Sequence, residues 1–293
     1  MGITFGSLFG ILLGGLIVEA FGWRWAFVVV GLPGVLLALI VKTTLKEPKR
    51  GGMELKQVTS DVLKKATEYQ AKPMPPIKAS FKILWGIKSY RVLCISAGLT
   101  AFCGYAFGLW IADFLFRTHE LTYSQFTLPL AFVIGIGGGI GTVSGGYITD
   151  YFGKKNKSYY FSIPSWAHIM SVPLFVFALW VSSPTLSFIS LFFMFLLHGG
   201  VAGPYYGLIQ NLSPLKLRAF GAALFFFILS MIGVGLGPLY IGALSDFLTP
   251  RFGEADALRW ALTTLSPVWI IAAFIMLNAR KTLAADLEAN LIK

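Results

Sequence analysis

Eight stretches of this sequence run apolar for the ~17 to 25 residues that a helix rising ~1.5 Å per residue needs to cross the ~30 Å hydrocarbon of a bilayer. They fall near 3–21, 24–42, 92–116, 126–148, 159–181, 185–209, 219–244 and 260–279. Each is too long for an ordinary strand, and the short alternating segments of a membrane barrel are missing. Lipid offers no hydrogen-bond partner to an open sheet edge, so helices are required. The expected fold is all-α, a polytopic membrane bundle of about eight transmembrane helices. Composition agrees: 56% of the 293 residues are hydrophobic and 13% charged, too little polar surface to solvate a soluble globule of this length.

The net charge of +11 raises the question of nucleic acid, and its distribution answers it. With the N-terminus taken as inside, 20 Lys and Arg lie in segments on one side, twelve of them between 42 and 91, and only Arg24, Arg117, Arg251 and Arg259 on the other. Such asymmetry reports topology and attraction to anionic headgroups rather than nucleic acid, and it puts both termini in the cytoplasm. Compact loops point to a bacterial inner membrane. Cys94 and Cys103 stand nine residues apart in one expected helix, on opposite faces, which excludes a disulfide between them. No cleavable signal peptide is read at the N-terminus, and Gly6 occupies the place where a myristoylation motif needs Ser or Thr.

The spans divide into a pair over 1–45, a basic connector over 46–89, a six-helix unit over 90–282 and a tail over 283–293. Within the connector a polar stretch, "SDVLKKATEYQAK", reads as a short surface helix. Farther on, Phe81, Leu84 and Trp85 fall at helical spacing among Lys78, Lys82 and Lys88, which reads as an interfacial helix feeding the third span or as a solvated linker. Small residues are more regular. Gly2, Gly6, Gly10 and Gly14 stand at strict four-residue spacing in the first span, Gly137, Gly141 and Gly145 in the fourth, and Gly233 and Gly237 before Pro238 in the seventh. Each set makes one helix face nearly flat, fit for close static packing or for sliding. "GIGGGIG" at 135–141 fails as a nucleotide loop, because no strand precedes it.

One polar run interrupts the apolar spans: "GGYITDYFGKKNKSYY", from Gly145 to Tyr160. Its form, with Gly145 and Gly146, Asp150, Gly153 and the basic pair Lys154 and Lys155, resembles the signature loop of the major facilitator superfamily. The flank "GWRWAFVVVGLPGVLLALIVKTTLKEPKR" resembles the helix-five to helix-six corner of that superfamily. The segment 198–246, with its "P-x-x-L-R-A" and "G-x-G-L-G-P-x-x-x-G-x-x-S-D" runs, resembles helices ten and eleven of the spinster-like branch. On this resemblance the chain begins at helix five and lacks the first four helices, which would be an intramolecular or separately supplied partner.

The resemblance implies two halves rocking about a central cavity, with no bound cofactor or ATP. It also implies a latch, in which Asp150 faces the positive N-terminal end of the first span. A solvated turn aspartate is the alternative. Arg218, opening the seventh span, would answer a loop that this chain lacks and is expected to find no partner there. Substrate-cavity candidates are Trp110, Tyr205, Tyr206 and Gln210, which offer ring faces and hydrogen bonds and are equally readable as packing or belt residues. Asp113 and Arg117, four apart, can pair at a gate or snorkel separately. His168 and His198 can titrate, meet an anionic headgroup or sit as neutral core histidines. Glu19 and Asp246 read as structural.

No carboxylate pair, His–Cys cluster or nucleophile–base set stands at useful spacing, so neither enzyme chemistry nor a metal site is expected. The expected function is alternating-access transport of an amphiphilic lipid-like or organic anion, such as a lysophospholipid or sphingoid phosphate, with protons as candidate coupling ion. Two alternatives stand beside it: a sugar-phosphate or other hydrophilic-anion carrier, and a membrane interaction subunit or truncation without transport.

Overall fold

The computed structural model describes residues 2–45 and 75–291, and every regular element among them is helical. The polar stretch before Pro73, read above as a surface helix, lies outside the described residues. α1 (Gly2–Phe21) and α2 (Trp23–Thr44) form a hairpin around Gly22, whose φ of 84° only glycine adopts without strain. α3 (Ile77–Gly86) leads into α4 (Lys88–His119). α5 (Tyr123–Ala131), a π-helical segment over Phe132–Gly137 and α6 (Gly138–Lys155) make one rod, followed by α7 (Tyr159–Trp180). α8 (Pro184–Gly199) and α9 (Ala202–Leu212) make a second rod, broken at Gly200 and Val201. α10 (Arg218–Ile228), a π segment over Leu229–Leu236 and α11 (Gly237–Phe252) make a third. α12 (Glu254–Thr263), α13 (Leu265–Ala279) and α14 (Leu283–Leu291) complete the chain.

Where the sequence leads one to expect eight spans, seven helical segments among the described residues have the length and apolarity to cross a membrane, and a helix of 20 residues, α1, covers the first expected span. Local chemistry sets many of the ends. Thr122 and Gln125 form a capping box that starts α5, and Ser183 caps α8 ahead of Pro184. Glu254 and Asp256 lie in the first turn of α12, where the helix dipole favours acids.

The buried residues of α3 and the six-helix unit form two apolar clusters. One is centred on Phe107, Phe114, Phe175, Leu258 and Trp269, the other on Leu84, Tyr90, Leu93, Phe161, Leu212 and Phe225. Because lipid tails are as apolar as leucine, burial gains little here, and close fit with interhelical hydrogen bonds must fix the helices. Tyr90 donates to the Gly221 carbonyl at 2.7 Å, Ser96 to that of Ala272 at 2.9 Å and Ser187 to that of Ala178 at 2.9 Å. The connector's last piece is helical as α3, with Ser80 and Leu84 buried and Phe81 stacked on Trp85 at 5.4 Å. The tail is helical as well: Leu283 is buried, and the Asp286 carboxylate accepts the Ser89 backbone N–H at 2.8 Å, a charge placed at the positive start of α4. Both cysteines are free and buried.

The glycine stripes have unlike fates. A Cβ on Gly141 would run into the Leu196 carbonyl and one on Gly145 into Gly200, while one on Gly137 would come within 3.0 Å of the Phe192 oxygen. The α6 stripe is therefore spent on backbone-to-backbone contact with α8. Gly233 and Gly237 are spent likewise against Ala101 and Phe102 of α4. A Cβ on Gly6, Gly10 or Gly14 would meet nothing within 4 Å.

Candidate functional site

At the basic end of the bundle the turn between α6 and α7 is built from its own residues. Asn156 ends α6, and its side-chain oxygen accepts from Ser158 N at 2.9 Å and Ser158 Oγ at 2.7 Å, which turns the chain into α7. Gly153 leaves the room that the Tyr160 ring occupies. Lys155 lies over Tyr151 at 4.7 Å and Lys157 over Tyr160 at 5.8 Å, cation–π contacts that hold both charges to the turn. Asp150 is exposed and faces the Tyr160 hydroxyl. Gly146 borders open space. α1 packs along α5 and the π segment after it and touches α6 only slightly. Arg218 opens α10, half-buried and engaged within the fold.

A second region spans α4, α9 and α10. α9 buries Pro204, Tyr205, Leu208, Ile209 and Leu212 and exposes Gly203, Tyr206, Gly207 and Gln210, the two sides of one amphipathic helix. Tyr206 packs edge-on to Phe225, at 6.2 Å between ring centres, and lies near Tyr105 of α4. Tyr105 is 48% exposed, with Gly108 and Leu109 open beside it. Between Ala97 and Ala112, and throughout α9, no charged residue occurs. The sequence had brought forward Tyr205 for this face, but its side chain points into the core, whereas Tyr105 belongs there. The signal for Tyr105 was present as a lone tyrosine among the small residues of the third span.

Trp110 is half-buried, and its indole N–H donates to the Pro238 carbonyl at 3.0 Å, pinning α4 to the start of α11. Arg117 pairs with Asp113 at 3.8 Å and lies 6.0 Å over the Trp110 ring. Both partners are partly open to solvent, where such a pair contributes little. Arg117→Ala is expected to shift unfolding stability in detergent by less than ~1 kcal/mol, as read from a thermal or denaturant midpoint. His168 and His198 are brought together, with ring centres 5.1 Å apart and the Trp269 ring 5.5 Å from that of His198. Neither the pairing nor the two π segments could be read from spacing along the chain. Among the described residues no group of three or more His, Cys, Asp or Glu could hold a metal ion.

A six-helix unit with a two-helix hairpin packed on one of its rods, in a chain of membrane-crossing helices, defines a polytopic membrane helix bundle. The profile of the Major Facilitator Superfamily matches residues 1–238, and the chain belongs to that superfamily, whose members are non-enzymatic transporters. It is 25% identical over 268 residues to an MFS-type efflux pump of Mycolicibacterium smegmatis, over 90% of this chain and 57% of the pump. It is 25% identical over 171 residues to a benzoate transport protein of Acinetobacter baylyi, over 53% of this chain and 36% of that protein. In fold it is similar to a bacterial homologue of the human lysosomal transporter Spinster, solved inward-facing and unoccupied, with a TM-score of 0.68 and 22% identity over 97% of this chain and 68% of that one. The occupied inward-facing form gives a TM-score of 0.66. The chain thus spans little more than half the length of the first of these curated relatives and about a third of the second.

Proposed function

We propose that the chain carries the C-terminal half, with the adjoining hairpin, of an alternating-access carrier for an amphiphilic, lipid-like or organic anion, in a bacterial inner membrane with both termini cytoplasmic. The observation that carries the reading is the contact pattern of α1. It meets the six-helix unit chiefly along α5 and the π segment and touches α6 only slightly, as two halves hinged at one end would do. In the inward-open state Asp150 rests against Tyr160; in the closed state it faces the first-turn amides of α1 and holds the halves together. The close contact of Gly141 and Gly145 with Leu196 and Gly200 lets that end of α6 move as a unit with α8.

The exposed face of α4 and α9 supports the substrate class. Tyr105, Tyr206 and Gln210 offer ring faces, hydroxyls and an amide with no cation among them, a surface for an alkyl chain or aromatic body rather than for a polyanionic sugar phosphate. Helices equivalent to the first four would complete the cavity wall. The test is uptake by proteoliposomes holding the chain alone, or together with a polypeptide carrying the first four helices of the mycobacterial relative. Fluorescent lysophospholipid uptake is expected to exceed that of empty liposomes at least ~10-fold when those helices are supplied, with sugar phosphate at background. Uptake of sugar phosphate alone would favour the hydrophilic-anion reading. Uptake of neither substrate would leave a non-transporting membrane subunit.

A further inference from the structure

Between the two apolar clusters the core of the six-helix unit turns polar. His168 of α7 is fully buried, and neither of its ring nitrogens has a hydrogen-bond partner among the described residues. Nδ1 of His198, the Tyr205 hydroxyl, the Thr100 hydroxyl and the Trp269 indole N–H are buried in the same condition. Residues of four helices besides α7 thus leave buried donors and acceptors unanswered. The Tyr205 ring lies 6.5 Å from that of His168, and its hydroxyl is directed towards Ser96 and Thr100 without closing a bond, Ser96 being committed to the Ala272 carbonyl. Unpaired polar groups at this depth oppose folding, and a leucine or phenylalanine would fill the space without that cost.

We propose that His168 and His198 form a proton-binding pair inside the six-helix unit, with His198 as the entry. Each neutral imidazole carries one N–H donor and one lone pair. Two rings with centres 5.1 Å apart can join through a single N–H···N bond. One proton delivered from water converts them into an imidazolium hydrogen-bonded to an imidazole. The lone pair that accepted it becomes an N–H bond, the pair gains one positive charge, and the Tyr205 and Thr100 oxygens stand by as acceptors for the added donor.

Access and isolation both follow from the surroundings. His198 is half-buried whereas His168 is sealed behind it, and Gly104 of α4 leaves the Nε2 edge of His198 open: a Cβ there would lie 3.8 Å from that nitrogen. Among the described residues no carboxylate, lysine or arginine of α6, α8, α9, α12 or α13, the elements packed around α7, acts on His168, so an added proton has no counter-ion outside the pair.

The chain contains three histidines, His119 being the third, so nitrogen-15 histidine labelling gives a spectrum simple enough to assign. In lipid, lowering the pH from ~8 to ~5 is expected to produce one imidazolium shared by His168 and His198, with magnetisation transfer between the two rings. His168→Asn and His198→Asn should each abolish the shared signal and leave that of His119. If both rings of the unaltered chain stay neutral across this range, or become charged independently with no transfer between them, the proposal is overturned. The unaltered chain decides the matter even if a variant fails to fold. The reading does not depend on transport, because the spectrum reports the rings whether or not any substrate is moved.

Discussion

Gly141→Leu is expected to remove folded protein from the membrane fraction, while Gly10→Leu leaves its yield and thermal midpoint unchanged. The two glycines belong to stripes with the same spacing, and sequence alone gives them equal weight. In the folded chain a Cβ at 141 would overlap the Leu196 backbone carbonyl, and Gly145 and Gly137 hold the same seam closed on Gly200 and Phe192. A branched side chain there must push α6 away from α8 along its length. Overpacking a well-fitted core costs ~1 to 3 kcal/mol, and more where backbone rather than a side-chain tip must yield. Set against total stabilities of ~5 to 15 kcal/mol, a loss above ~3 kcal/mol depletes the native state. At position 10 a Cβ meets nothing within 4 Å. Fluorescence-detected size exclusion of the two variants in detergent checks the contrast, and equal profiles would refute the packing assigned to α6 and α8.

Asp150→Asn is expected to depopulate the closed state. A carboxylate at a helix N-terminus contributes up to ~2 kcal/mol in a partly buried geometry, which corresponds to a factor of ~30 in the population of the state that forms the contact. Pulsed dipolar distances between spin labels at Ser7 and Asn156, measured in liposomes, read that population directly. The native chain should show a short-distance fraction that the variant loses. Tyr160→Phe, which removes the hydroxyl facing Asp150 in the open state, should shift the balance in the opposite direction and by less. Identical distance distributions in native chain and Asp150→Asn would sink the latch.

Much of the architecture was legible along the chain. The six spans from 92 to 279 fall where helices form, because the match between apolar length and bilayer thickness is a property of each segment taken alone. The resemblance carried by "GGYITDYFGKK" and its flanks led to the superfamily that the chain proves to belong to. Individual positions fared differently. Tyr205 and Tyr206 are neighbours in sequence, yet one is buried and the other exposed, since one residue turns a helix by ~100° and α9 has a single outward face. Trp110 offered a ring face on paper and spends its indole N–H on Pro238, 128 residues away. His168 and His198 looked like two solitary histidines until α7 and α8 packed side by side.

Sequence by itself determined that this chain is a bundle of membrane-crossing helices, which ends are basic and where flat faces occur, because hydropathy, charge and spacing act over one helix at a time. The tertiary structure alone decided which flat face is filled and which stays open, which tyrosine faces outward, that two histidines meet, and that α1 lies on α5 and the π segment rather than on α6. Those outcomes depend on the register and distance between helices far apart in the chain, where close packing selects one arrangement among many that the same helices would allow.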